Sequence, residues 1–187
     1  MNINSVINEA TLFLKKNLIK TAQLDSEILL AQVINKKREY VILNQDAPVI
    51  KESYNCFKDL IKKRSKGKPI AYLTGKKDFW KYQFKINEHV LIPRPDTEII
   101  VEQVLKITKQ KSNLSVLDIG VGSGCILLSV LKEKKGFRGI GIDISKKSVE
   151  ISKLNACNLG LLNRVKIFKT NVDNFNYGKY DLIISNP

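Results

Sequence analysis

The sequence predicts an α/β protein with a small N-terminal helical bundle, a β-hairpin linker and an open domain built on a parallel sheet. Three observations predict it. Apolar residues recur at helical spacing through the first 66 residues. Residues 78–92 are rich in aromatic and β-branched side chains with partial alternation. From residue 114 onward, short β-prone runs alternate with helical stretches, the pattern of a parallel sheet with crossover helices.

In chain order, residues 3–19 place Ile3, Val6, Ile7, Ala10, Leu14 and Leu18 on one helical face. A second helix fits 25–35, with Leu24, Ile28, Leu29, Ala31 and Val33 available for burial. Asp46 and Pro48 signal a helix start, and the helix that follows presents Phe57, Leu60 and Ile61 and runs to Arg64. Helices this short are marginal alone, so a small bundle is expected. Gly67 and Pro69 end the segment, and 70–75 reads as a connector. A hairpin is expected over 78–92, turning at Asn87-Glu88. Pro93 and Pro95 force an extended stretch around Arg94, and Asp96 or Thr97 then caps a helix reaching Lys109. Strands are expected at 114–119, 138–143, 164–169 and 180–185, with helices at 124–134 and 146–159, the latter stopped by Gly160. An open sheet normally continues past a fourth strand, so the second domain reads as incomplete at its C-terminal side. The expected division is 1–75 for the helical domain, 76–95 for the linker and 96–187 for the sheet domain.

Composition excludes several function classes. No apolar run approaches the roughly 18 residues that span a bilayer, and the N-terminus lacks the basic and apolar regions of an export signal. Cys56, Cys125 and Cys157 are far apart and form no CxxC pair, which fits reduced thiols in the cytoplasm. No cluster of Cys, His and carboxylates has metal-ligand spacing, so no metal is expected. The net charge of +14 invites a nucleic-acid reading. Yet 27 of the 32 basic residues are Lys, and Lys, Asn and Ile are all frequent, as A+T-biased coding would produce. Residues 51–90 carry 11 basic and 4 acidic side chains, half of the net excess. The run KKRSKGK (62–68) reads as a solvated helix end, with contact to an acidic partner such as RNA the alternative.

Three constellations carry chemistry. The first is DIGVGSG (118–124), where Asp118, Gly120, Gly122 and Gly124 sit between a strand and a helix. Glycine lets the chain turn sharply, admit a ligand to its backbone and open a helix. The spacing is G-x-G-x-G; the dinucleotide fingerprint would need glycine where Cys125 stands, so adenosylmethionine is favoured over NAD. An ordinary tight turn is the plainer alternative. The second is Asp143, at the next strand end and 19 residues beyond Gly124. Its carboxylate suits the two hydroxyls of a ribose, or else caps the helix starting near Lys146. The third is Asn186-Pro187 after the fourth strand, where open parallel sheets bind ligands, or where a loop simply breaks.

LIPRPDTE (91–98), the DIGVGSG turn, GID (141–143) and the terminal Ser-Asn-Pro together resemble the HemK/PrmC family of release-factor glutamine methyltransferases. DSEILLAQVINKKREYVI (25–42) and GKPIAYLTGKKDFW (67–80) resemble that family's helical domain and linker, so the likeness covers essentially the whole chain. The resemblance implies a Rossmann-like domain dependent on S-adenosyl-L-methionine. It implies methyl transfer to the glutamine amide of the GGQ motif in a peptide chain release factor, with the helical domain recognising that substrate. The family's NPPY motif falls on Asn186 and Pro187, whose side-chain oxygen and backbone carbonyl would accept the two amide hydrogens of the glutamine. The amide nitrogen, a poor nucleophile, would thereby be aimed at the sulfonium methyl. Asn186 is thus expected at both cofactor and substrate, and Arg94 as either a structural anchor or a substrate contact.

Where the family places an acidic residue after the third strand to hold the adenine amino group, this chain has Asn171, with Asp173 nearby. His89, the sole histidine, is expected on the hairpin surface. Phe79 and Trp80 are expected to pack the hairpin onto a domain, and the family's arrangement puts Phe79 near the cofactor. Two other functions compete: an amino methyltransferase acting on adenine-type bases of DNA or RNA, and an inactive cofactor-binding remnant.

Overall fold

The computed structural model describes residues 1–186; Pro187 lies outside the described residues. The chain divides into two compact units, 1–74 and 75–187.

The first unit is helical. Helices α1 (Ile3–Lys16), α2 (Ala22–Val33), α3 (Arg38–Leu43), α4 (Lys51–Ser65) and α5 (Ile70–Thr74) surround one apolar core. Asn2 caps α1 by accepting from the Ser5 amide at 3.0 Å. Ile3, Val6, Ile7, Ala10 and Leu14 are buried along the expected stripe. Leu18 is not: α1 ends at Lys16, and Leu18 takes a left-handed φ of 61° and stands 89% exposed. Pro48 does not open α4, which begins at Lys51; residues 47–49 instead bond back to the N-terminus, through Ile3 N–H to Ala47 O and Val49 N–H to Met1 O, both 3.0 Å. Residues 38–43 and 70–74, unassigned or read as a connector from sequence, are short helices whose Val41, Ile70 and Leu73 join the core.

Helix α2 buries Leu29 and Ala31 as expected, and Val33 packs against the same core. Leu24 is exposed, whereas Asp25 and Glu27 turn inward. Asp25 meets Arg64 of α4 at 2.7 Å and accepts from Thr21 at 2.8 Å. Glu27 meets Arg38 of α3 at 2.7 Å. Buried carboxylates persist only when paired and hydrogen-bonded, so these two ion pairs set how α2 faces α3 and α4.

The second unit opens with a hairpin, β1 (Lys76–Phe79) and β2 (Tyr82–Lys85), in register Phe79↔Tyr82 and Lys76↔Lys85. Its turn is Trp80-Lys81, not Asn87-Glu88, and Trp80 adopts φ 57°. A tryptophan pays for that conformation only where its surroundings hold it. Here its N–H donates to Glu98 at 2.8 Å and its indole to Glu133 at 3.1 Å. Glu133 also accepts from Lys81 at 3.0 Å and Tyr82 at 3.0 Å. Burial alone would raise the Glu133 carboxyl; its Lys81, Tyr82 and Trp80 donors outweigh that and hold it below the usual carboxylate range. Glu133→Ala is therefore expected to cost about 1–2 kcal/mol, read as a lower denaturation midpoint with an unchanged slope.

After a 3₁₀ turn at Pro95–Thr97 and helix α6 (Glu98–Ile107) come β3 (Ser115–Ile119), α7 (Cys125–Glu133), β4 (Arg138–Asp143), α8 (Lys146–Asn158), β5 (Val165–Lys169) and β6 (Leu182–Ser185). The sheet is parallel, ordered β5-β4-β3-β6. The chain builds outward from β3 to β5, then returns to the other side of β3. This is the Rossmann-like arrangement, and the reversal lies between β3 and β6, where such sheets bind ligands beyond the strands' carboxyl ends. Phe79 and Phe84, edge-to-face at 6.2 Å, join the core formed by α6, α7, α8 and the sheet. The hairpin is thus part of the second unit's own core.

Candidate functional site

Register alone gathers the rim. Ile119 pairs with Ser185 across β3 and β6, and Ile119 pairs with Ile142 across β3 and β4. The next residues along these strands, Gly120, Asn186 and Asp143, therefore leave three neighbouring strand ends together. Ser185 Oγ donates to Ile119 O at 3.2 Å, tying the outer pair.

The glycine turn needs its glycines for two reasons. All three are left-handed, with φ of 77° at Gly120, 53° at Gly122 and 80° at Gly124. A Cβ at Gly120 would meet nothing within 4 Å, and one at Gly122 only Gly120 O at 3.8 Å, so the backbone here faces open space. At Gly124 a Cβ would instead strike Leu128 Cδ1 at 2.8 Å and Ser152 Cβ at 3.3 Å, so helix packing also forbids a side chain. The amides of Gly120 and Val121 both donate to Ile142 O at 2.9 Å, strapping the turn onto β4. Gly124 is the N-cap of α7 and supplies no side-chain acceptor to the helix's first amides.

Asp143 organises this turn. Its Oδ2 accepts from the Gly122 amide at 3.0 Å and its Oδ1 from the Ser145 amide at 2.8 Å. The cap of α8 is Ser145, whose Oγ accepts from Ser148 N–H at 3.2 Å, so Asp143 is not the cap. Each Asp143 oxygen retains acceptor capacity beyond its one bond.

Asp118 lies beneath the turn, 2% exposed. Burial pushes its carboxyl up to about 7; the Leu127 backbone N–H pulls it down and the nearby Asp143 charge raises it. Burial also raises the Cys125 thiol to about 11, which leaves it protonated and unreactive.

Asn171 follows the end of β5, exposed, with its Nδ2 donating to Asp173 Oδ2 at 3.1 Å and its Oδ1 accepting the Asp173 amide at 3.4 Å. Asn186 is exposed. The Pro187 assignment lies outside the described residues. Arg94 is exposed between its two prolines, at the N-cap position of the 3₁₀ turn. His89 is also exposed; its Nε2 lies 2.8 Å from Lys147 Nζ and its carbonyl accepts from Ser148 Oγ at 3.3 Å, which lays the 86–90 segment along the first turn of α8. Phe79 is closed off within the core.

Sequence reasoning missed Asn155 and Glu133. Asn155 holds Ser123 of the glycine turn and Lys85 of the hairpin, and Glu133 holds the hairpin turn. Neither belongs to a local motif, because their partners lie far away along the chain. The inward face of α8, formed by the small or polar Ser148, Ser152 and Asn155, was the available signal.

Among the described residues no group of three or more His, Cys, Asp or Glu side chains is placed to hold a metal, and no helix is long and apolar enough to cross a membrane.

Comparison with known proteins assigns a family to both parts of the chain. The profile of the PrmC N-terminal domain matches residues 5–75, and that of the methyltransferase small domain matches residues 96–187. The release factor glutamine methyltransferase of Buchnera aphidicola subsp. Baizongia pistaciae is 40% identical over 193 residues, covering 100% of this chain and 67% of that one. The chain belongs to the HemK/PrmC family of release factor glutamine methyltransferases. The Buchnera aphidicola subsp. Schizaphis graminum enzyme of the same description is 38% identical over 187 residues, covering all of this chain and 66% of that one. The bifunctional methyltransferase of Rickettsia conorii is 35% identical over 211 residues, again across 100% of this chain. The chain spans 40% of that relative's length. Family membership therefore covers both units of the chain.

Proposed function

We propose that this protein binds S-adenosylmethionine at the β4-β3-β6 rim and methylates the side-chain amide of the glutamine in the GGQ motif of a peptide chain release factor, in the cytoplasm. One observation carries the reading: Asp143, the glycine turn and Asn186 leave adjacent strand ends at the point where strand order reverses. The open space beside Gly120 and Gly122 lets a ligand approach the backbone closely, which supports an adenosine-bearing group there. The family relatives described as release factor glutamine methyltransferases support the acceptor.

When bound, the cofactor supplies a methyl group on a sulfonium, already activated for displacement. The chain supplies position. Asp143 accepts from the ribose hydroxyls with the lone pairs left after its bonds to Gly122 and Ser145. Asn171 Oδ1 accepts from the adenine amino group in place of the family's carboxylate. The Asn186 side-chain oxygen and the Pro187 carbonyl accept the two hydrogens of the glutamine amide, which fixes the orientation of its nitrogen. Arg94 borders the acceptor, and the helical unit 1–74 recognises the release factor.

Asp143→Ala is expected to weaken S-adenosylhomocysteine binding by about 1–3 kcal/mol, because charge-assisted hydrogen bonds are lost. Calorimetry showing unchanged affinity would sink the ribose assignment. The reading as a whole is tested by incubating the full-length protein with S-adenosylmethionine and a bacterial release factor, or that factor with its GGQ glutamine changed to alanine. Mass spectrometry should find one added methyl on the glutamine and none on the control. Methylation of added DNA or RNA instead would move the protein to the base-modifying class and make the basic segment 51–90 its contact surface.

A further inference from the structure

Helix α8 holds a buried polar side chain whose bonds reach two segments far apart in sequence. Asn155 is 1% exposed. Its Nδ2 donates to Lys85 O at 2.9 Å and to Ser123 O at 2.8 Å, and its Oδ1 accepts from Lys85 N–H at 2.7 Å. Both amide hydrogens and the oxygen are therefore used. Toward Lys85 the side chain acts as a neighbouring strand would, satisfying the N–H and C=O at the end of β2. Toward Ser123 it holds the carbonyl just before Gly124, where the glycine turn gives way to α7.

The consequence is geometric. Lys85 is the last residue of β2, and the chain beyond it runs along α8 to His89, whose carbonyl accepts from Ser148 Oγ at 3.3 Å. That run leads to Pro93, Arg94 and Pro95. Helix α8 itself starts three residues past Asp143. One side chain thus joins the exit of the ligand-facing turn to the root of the segment that carries Arg94. A core position needing only volume would be filled at lower cost by an apolar residue, since a buried amide is tolerable only when every polar atom is paired.

We propose that Asn155 is a positioning residue. It fixes the glycine turn for cofactor binding and sets the spacing between that turn and segment 86–97. The inference rests on the methyltransferase reading above. It predicts that cofactor affinity depends on Asn155 beyond any effect on overall stability.

The test uses the full-length protein and S-adenosylhomocysteine as probe. Asn155→Ala is compared with Ile167→Ala, a buried residue of the same core that lies on β5, outside both segments in sequence. Affinity is measured by calorimetry well below both melting temperatures. Asn155→Ala should weaken binding roughly tenfold, the loss of one to two well-made hydrogen bonds, while Ile167→Ala changes affinity less than about twofold at a comparable loss of melting temperature. Equal affinities for the two variants would reduce Asn155 to a structural role and overturn the proposal. Should Asn155→Ala fail to fold, the unmodified protein decides: the Lys85 amide should exchange more slowly with deuterium once the ligand is bound, and an unchanged rate overturns the proposal. Failure of the unmodified protein to bind the probe would instead overturn the cofactor reading, and this inference with it.

Discussion

Asn186→Ala is expected to lower methyl transfer by about 10²–10³-fold, the range seen when one positioned hydrogen-bonding group is removed from a reacting centre, while cofactor affinity stays nearly unchanged. The expectation follows from where Asn186 sits and from what an amide requires. The residue is exposed one position beyond β6, beside the turn that follows β3, and its strand is fixed by the register Ile119↔Ser185. An amide nitrogen has its lone pair delocalised into the carbonyl, so its rate depends on being held in line with the methyl carbon. Removing the side-chain oxygen frees that orientation and leaves the glycine turn and Asp143 untouched. Single-turnover kinetics with saturating S-adenosylmethionine separate the chemical step from binding. Turnover surviving in Asn186→Ala, at unaltered affinity, would mean that the amide is oriented by other groups.

Much of this site was legible in the sequence because its determinants are local. The Gly120, Gly122 and Gly124 conformations are backbone properties that only glycine meets easily, so the motif and the geometry are the same statement. The strands from 114 onward could be read from alternating units, and register then did the assembly. What stayed hidden depends on partners distant in sequence. Asp25 and Glu27 face the core because Arg64 and Arg38 meet them there, so the apolar residues of α2 show only part of its buried face. The hairpin turn was assigned to Asn87-Glu88 on turn chemistry, whereas Trp80 occupies it in a conformation held by Glu98 and Glu133. Asn155 could not be found from any motif, because its meaning lies in Ser123 and Lys85.

Asp118→Asn is expected to flatten the dependence of stability on pH. The Asp118 carboxyl is buried, and burial lifts it from the ordinary 3.8 to about 7 in the folded protein. A raised carboxyl favours its protonated form in the folded state. Below the unfolded value of 3.8 both states are protonated and the contribution to stability is complete. As pH rises, the unfolded chain ionises first and binds fewer protons than the folded one, so stability falls until pH passes the folded value of about 7. A difference of about three units corresponds to roughly 4 kcal/mol between the ends of that window. Asparagine keeps an oxygen to accept the Leu127 N–H but cannot ionise, so this loss should vanish. Denaturant titrations at about pH 5 and pH 9 should show a shallower decline for Asp118→Asn than for the unmodified protein, whatever the absolute stabilities, because one ionisation has been removed from the linkage. Parallel declines would mean that the amides at the N-terminus of α7 keep Asp118 ionised in the folded state, and that its role is to hold those amides with a full negative charge.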